Sequence, residues 1–108
     1  MPFPVFLTDD ATRDLEELYD FIMLNDSAKQ AEYVLSQIEN TLSRLSQFPE
    51  SGCYPQELLA LGIRDYREIF FKPYRIIYRV VNASIYIVLI VDGRRDMDSL
   101  LQRRLLEA

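Results

Sequence analysis

No histidine occurs in the 108 residues, and cysteine occurs once. Without an imidazole, a thiol–imidazole nucleophile and a Cys/His zinc site are both excluded, and the lone Cys53 has no partner for an internal disulfide. Cys53 reads as a small half-buried residue. Glycine is equally sparse. Gly52, Gly62 and Gly93 stand far apart, so no glycine-rich phosphate-binding loop can form. No apolar run approaches the roughly 18 residues of a membrane span, and residues 1–7 lack the basic flank and long apolar core of a secretory signal. The expectation is a cytoplasmic protein with no membrane partner. The carboxylates Asp9, Asp10, Asp92, Asp96 and Asp98 each fall where a helix cap or turn calls for one, so no metal or other cofactor is expected.

The length suits a single domain over residues 1–108, and 49% hydrophobic with 27% charged residues is the balance of a folding globular chain. Charge is segregated along it. Residues 1–60 carry a net −8 and residues 61–108 a net +3, within an overall −5. The total argues against a general nucleic-acid binder, whereas the basic second half invites a search for an anion-binding surface.

Pro2 and Pro4 confine any first strand to residues 5–8 or to a sheet edge. Asp9 and Asp10 then offer caps and favourable charge for a helix in which Ala11, Leu15, Leu18, Tyr19 and Ile22 recur at helical spacing, ending near Asn25. Ser27 and Gln30 have capping-box spacing, and Ala31, Val34, Leu35, Ile38, Leu42 and Leu45 form the stripe of a second helix reaching Phe48. So short a joint predicts an antiparallel helical hairpin. Pro49 and Gly52 end it, and a connector follows with one helical turn at residues 57–60. Strands are expected over residues 63–71, 74–81 and 85–91, the second alternating between Arg75/Ile77/Arg79/Val81 and Tyr74/Ile76/Tyr78/Val80 faces, with a tight turn at Asn82 and Ala83. The third is apolar on both faces, as a strand inside the domain should be. Asp96 caps a short final helix carrying Met97, Leu100, Leu101 and Leu105. The fold class is α+β: a first strand and a helical hairpin packed on a small antiparallel sheet, with a C-terminal helix.

Arg64, Arg67, Arg75 and Arg79 come from two adjacent strands, and the last two must share a face because their separation is even. Arg94 and Arg95 follow the last strand. Together they can form an anion-binding concavity, since guanidinium grips carboxylate or phosphate bidentately; as solvated strand residues they would instead pair with Asp65, Glu68 and Asp96. Acid–base chemistry is poorly supplied. Lys72 is the lone lysine of the second half, no tyrosine or lysine follows Asp92, and Tyr66, Tyr74, Tyr78 and Tyr86 sit where aromatics serve as packing.

The order of elements, with Phe48-Pro49 and Gly52, Leu61-Gly62-Ile63-Arg64, Tyr66-Arg67-Glu68, the run from Tyr74 through Val80 and the Val91-Asp92-Gly93-Arg94-Arg95-Asp96 ending, resembles the RelE/ParE toxin superfamily, and its ParE-like members most closely. The resemblance covers nearly the whole chain. It implies the toxin of a type II toxin–antitoxin module, held by a cognate antitoxin whose segment folds on binding, in a higher-order toxin–antitoxin complex. ParE-like members inhibit DNA gyrase; Arg94, Arg95, Leu101, Arg103 and Arg104 would then form the contact surface, with no catalysis. RelE-like members cleave messenger RNA at the ribosome, and Arg64, Arg67, Arg75 and Arg79 would hold the RNA in that case. A third possibility is an inactive relative that only binds antitoxin. Many relatives carry a histidine where this chain has Asp92.

Overall fold

A computed structural model describes residues 2–107. The elements run β1 (Val5–Leu7), α1 (Asp9–Asn25), α2 (Ala28–Gln47), the single turn α3 (Gln56–Leu59), β2 (Arg67–Phe71), β3 (Tyr74–Val81), β4 (Ser84–Asp92) and α4 (Met97–Leu101), which continues as a π-helical turn over Gln102–Leu106. The α+β class and the helical hairpin are as the sequence leads one to expect. Thr8 rather than an aspartate caps α1, its Oγ1 accepting the Ala11 N–H at 3.1 Å, while Asp9 and Asp10 occupy the first turn and face the positive end of the helix dipole. Ser27 caps α2 through the Gln30 N–H at 3.0 Å. Two residues therefore separate the helices.

The sheet order is β1-β4-β3-β2, with β2, β3 and β4 an antiparallel meander. The sheet is mixed rather than wholly antiparallel, because β1 pairs in parallel with β4, Val5 opposite Ile85 and Leu7 opposite Ile87. Two reversals within the meander return β4 to the direction of β2. The helical hairpin delivers the chain to β2 running as β1 did, so β1 meets β4 in parallel. Asn82 and Ala83 make the β3–β4 turn with φ of 49° and 63°, the left-handed pair that matches strand twist in a two-residue hairpin.

The strand expected over residues 63–71 begins only at Arg67. Gly62, at φ 76°, reverses the chain after α3 and returns the Ile63 N–H to the Leu58 carbonyl at 3.0 Å. Ile63 and Tyr66 then pack beneath α4 instead of joining the ladder. Cys53, expected half-buried, is exposed, with its backbone bridged to Glu68.

Burial follows the two faces of the sheet. Ile76, Tyr78, Ile85, Ile87 and Ile90 meet Ala11, Ile22, Ala31, Val34, Ile38 and Leu45 of the hairpin on one side. Ile77, Leu89 and Val91 meet Leu58, Met97, Leu100 and Leu101 on the other. That double coverage is why β4 reads as apolar on both faces.

Tyr78 joins this core to the connector. Its side chain is fully buried, its hydroxyl accepts the Gly52 N–H at 3.0 Å and donates to the Pro49 carbonyl at 2.8 Å. A Cβ on Gly52 would lie 2.6 Å from that hydroxyl and 2.7 Å from the Glu68 carbonyl, so glycine is required by close approach. Tyr78→Phe strands both partners, and urea unfolding should show a loss of about 1–2 kcal/mol with an unchanged denaturant slope; wild-type stability in that variant would mean the hydroxyl contributes nothing.

Candidate functional site at the end of the central strand

β4 ends at Asp92, and the chain crosses to α4 through Gly93, Arg94, Arg95 and Asp96. Three contacts fix this crossing. The Gly93 N–H donates to the Pro73 carbonyl at 2.8 Å, the Arg95 N–H to the Asp92 carbonyl at 3.3 Å, and Asp96 caps α4 by accepting the Ser99 N–H at 3.2 Å and its hydroxyl at 2.8 Å. Gly93 is constrained from below: a Cβ there would meet Arg75 Cδ at 2.7 Å and Cγ at 2.9 Å. The glycine of the Gly-Arg-Arg sequence thus makes room for the stem of a sheet arginine.

Arg75 runs under that glycine to two carboxylates. Its Nη1 and Nη2 each lie 2.8 Å from an oxygen of Glu57 on α3, and its Nε lies 2.6 Å from Glu68 on β2. Only 13% of its side chain is exposed. Hydrogen bonding to Glu57 raises the pKa of Arg75 further above its ordinary value, and the same guanidinium holds the Glu57 carboxyl below the usual carboxylate range against the opposing effect of burial.

The four strand-side arginines do not converge. Arg75 and Arg79 share a face, as their spacing requires, but Arg67 points to the other face, where it donates to the Gly52 carbonyl at 2.9 Å and lies over the Tyr54 ring at 4.7 Å. Arg79 is exposed at the far end of β3, 5.9 Å from the Tyr66 ring centre, and Arg64 is exposed in the loop before β2. Two of the four are therefore consumed in holding the connector to the sheet.

The C-terminal residues divide similarly. Leu101 is 1% exposed and belongs to the core beneath α4. Arg104 is anchored: it grips Asp14 of α1 with two bonds of 2.9 and 3.0 Å and donates to the Val88 carbonyl at 3.1 Å. Asp14 in turn accepts the Ile90 N–H at 3.1 Å. The register of β3 against β4 shifts between Ile77 and Tyr78, and β1 ends at Leu7, so Val88 and Ile90 have backbone groups with no strand beside them. The Asp14–Arg104 pair satisfies those groups. Neither Leu101 nor Arg104 is free for another molecule, whereas Arg94, Arg95 and Arg103 remain at the surface.

Two carboxylates that organise the arginines, Asp14 and Glu57, are absent from the residues singled out by sequence. Asp14 had a signal, since it lies three residues after Ala11 and four before Leu18, an acid on an apolar stripe. Glu57 had none, because its pairing with Arg75 depends on where the connector folds.

Beside the loop lies a groove of about 680 Å³, bounded by Leu18 and Phe21 of α1 and by Ile90, Asp92, Arg94 and Arg95. Asp92 reaches back along its rim to Arg94, whose Nη2 lies 2.6 Å away, and this contact holds the Asp92 carboxyl below its usual range.

The fold is one shared with proteins solved as parts of toxin–antitoxin systems. A family model described as the ParE toxin of the type II toxin–antitoxin system parDE matches residues 5–97, and the chain belongs to that family. It is similar to Toxin ParE3 of Caulobacter vibrioides, 29% identical over 100 residues that cover 93% of this chain and 96% of the relative. Among solved structures it is similar to a chromosomal ParDE system from P. aeruginosa, with a TM-score of 0.70, 19% identity and coverage of 83% of this chain and 95% of that one. A toxin–antitoxin complex, RelBE2 of Mycobacterium tuberculosis, gives a TM-score of 0.58 and 21% identity over 85% of this chain and 99% of that one. At these identities the two structures attest the fold.

The direction of the Glu57 shift fixes a pH dependence. The folded form binds that proton more weakly than the unfolded chain, so the associated stability is complete above the ordinary glutamate range and is lost as pH falls from that range through the lower pKa of the folded state. Urea midpoints should drop between about pH 6 and about pH 3, and Glu57→Gln should flatten that drop while lowering the midpoint at about pH 6. An unaltered pH profile in Glu57→Gln would remove this residue from the account.

Proposed function

We propose that the protein is the toxin of a type II toxin–antitoxin module, that it arrests growth by binding DNA gyrase through the Arg94–Arg95 loop, and that a cognate antitoxin neutralises it. The observation that carries this reading is the state of Arg75. It is one of the four arginines that would hold RNA in a nuclease, and it is bound by Glu57 and Glu68 with three short hydrogen bonds. A phosphate would have to displace two carboxylates from a nearly buried guanidinium, leaving them unpaired at a cost of several kcal/mol. With no histidine in the chain, the commonest general acid–base for RNA cleavage is also lacking. What remains for a partner is a surface: two adjacent arginines on a short loop braced by β4, by the β2–β3 turn and by the α4 cap. That the two structural neighbours are a ParDE system and a RelBE2 toxin–antitoxin complex supports an antitoxin as the second partner.

The test is DNA supercoiling by purified gyrase with ATP. Inhibition accompanied by trapped cleaved DNA is expected from the wild-type protein, relieved by the antitoxin. Replacing Arg94 and Arg95 together by Ala should weaken inhibition at least about ten-fold, the loss typical of arginine hot spots, with the thermal midpoint unchanged because both side chains are exposed. A folded wild-type protein with no effect on gyrase contradicts the proposal, and ribosome-dependent cleavage of messages would then direct attention to Arg79 and Arg64.

A further inference from the structure

Arg94 has 78% of its side chain exposed, yet it does not extend into solvent. Its Nε lies 3.0 and 3.2 Å from the two oxygens of Asp92, its Nη2 lies 2.6 Å from one of them, and its backbone N–H donates to the same carboxylate at 2.9 Å. A carboxylate taken side-on by Nε and Nη2 occupies one of the guanidinium edges that would grip an anion on another molecule. The restraint is local and preformed. Asp92 is the last residue of β4, paired with Tyr74, and the next residue is bonded to the Pro73 carbonyl, so the carboxylate is already in place when Arg94 folds onto it.

Its neighbour differs. Arg95 is exposed and forms no ion pair among the described residues, and Asp96 is committed to capping α4. From Asp92 to Asp96 the loop holds two arginines and two aspartates and is formally neutral. Arg95 is its unpaired cation. A single unpaired guanidinium on an acidic chain suits one carboxylate on a protein surface rather than the run of phosphates on bare DNA, which calls for many cations.

We infer that Asp92 is a positioning residue that restrains Arg94, leaving Arg95 to make the loop's first contact with a carboxylate of the protein target and Arg94 to engage by exchanging Asp92 for the target's own carboxylate. The inference rests on the reading of this loop as the target-binding surface.

Asp92→Asn keeps the size and an acceptor for the Arg94 N–H but removes the competing charge. Its affinity for DNA-free gyrase should rise about three-fold, the scale of an exposed ion pair, and the gain should vanish when Arg94 is also replaced by Ala. Arg95→Ala should cost more affinity than Arg94→Ala. Weaker binding by Asp92→Asn, a gain that persists without Arg94, or a gain seen only with DNA present each overturns the inference.

A second measurement needs no gyrase. In the 15N spectrum of the free protein, the Arg94 Nε–H should stand apart from the exposed arginines and merge with them in Asp92→Asn. Overlap with exposed arginines already in the wild type removes the restraint, whatever the gyrase result. A separate Arg94 signal in a protein inert to gyrase keeps the restraint and removes gyrase as the target.

Discussion

The side chain of Arg75 is where the two halves of the molecule are held together. It rises from β3, passes beneath Gly93 and ends between Glu57 and Glu68. Glu57 belongs to a four-residue helix that could not persist alone, since a single turn makes too few hydrogen bonds to offset its ordering. The ion pair and the burial of Leu58 hold that turn against the sheet. Through Gly93 the same arginine dictates the path of the loop that carries Arg94 and Arg95. Removing it would leave two carboxylates facing each other at the sheet, a larger penalty than the loss of any surface ion pair.

The charge segregation in the sequence acquires a structural meaning from such pairs. Acidic residues of the first half, Asp14 and Glu57, reach across to basic residues of the second, Arg104 and Arg75. Each pair spans two elements distant in the chain, and Asp14 with Arg104 also satisfies backbone groups of Val88 and Ile90. Arg67, Arg75 and Arg104 are thus spent inside the fold, while Arg64, Arg79 and Arg103 are exposed at separate places and Arg94 and Arg95 form the adjacent pair in the loop after β4.

Much of this architecture is legible in the sequence. The hairpin follows from helical spacing and the Ser27 cap, and the position of β4 from its unbroken apolar run. The turn follows from Asn82 with Ala83, and the last helix from Asp96. What escaped depended on long-range geometry. The late start of β2 comes from Gly62 and from Ile63 and Tyr66 packing under α4; the parallel partner of β4 comes from counting reversals. At the candidate site, the sequence identified every arginine but could not tell the engaged from the free. Arg67 and Glu68 are neighbours that point to opposite faces, and only the fold shows that Arg67 holds the connector while Glu68 holds Arg75.

The central claim is that Arg67 and Arg75 serve the fold and that the toxin acts by binding. It is tested most directly in cells that express the protein without an antitoxin, by recovering gyrase–DNA cleavage complexes and mapping message ends in the same cultures. Trapped gyrase with intact messages is the result expected here. Cut messages without trapped gyrase would mean that the exposed Arg79 and Arg64 hold RNA, or that Arg75 leaves its carboxylates to do so, and would contradict the account.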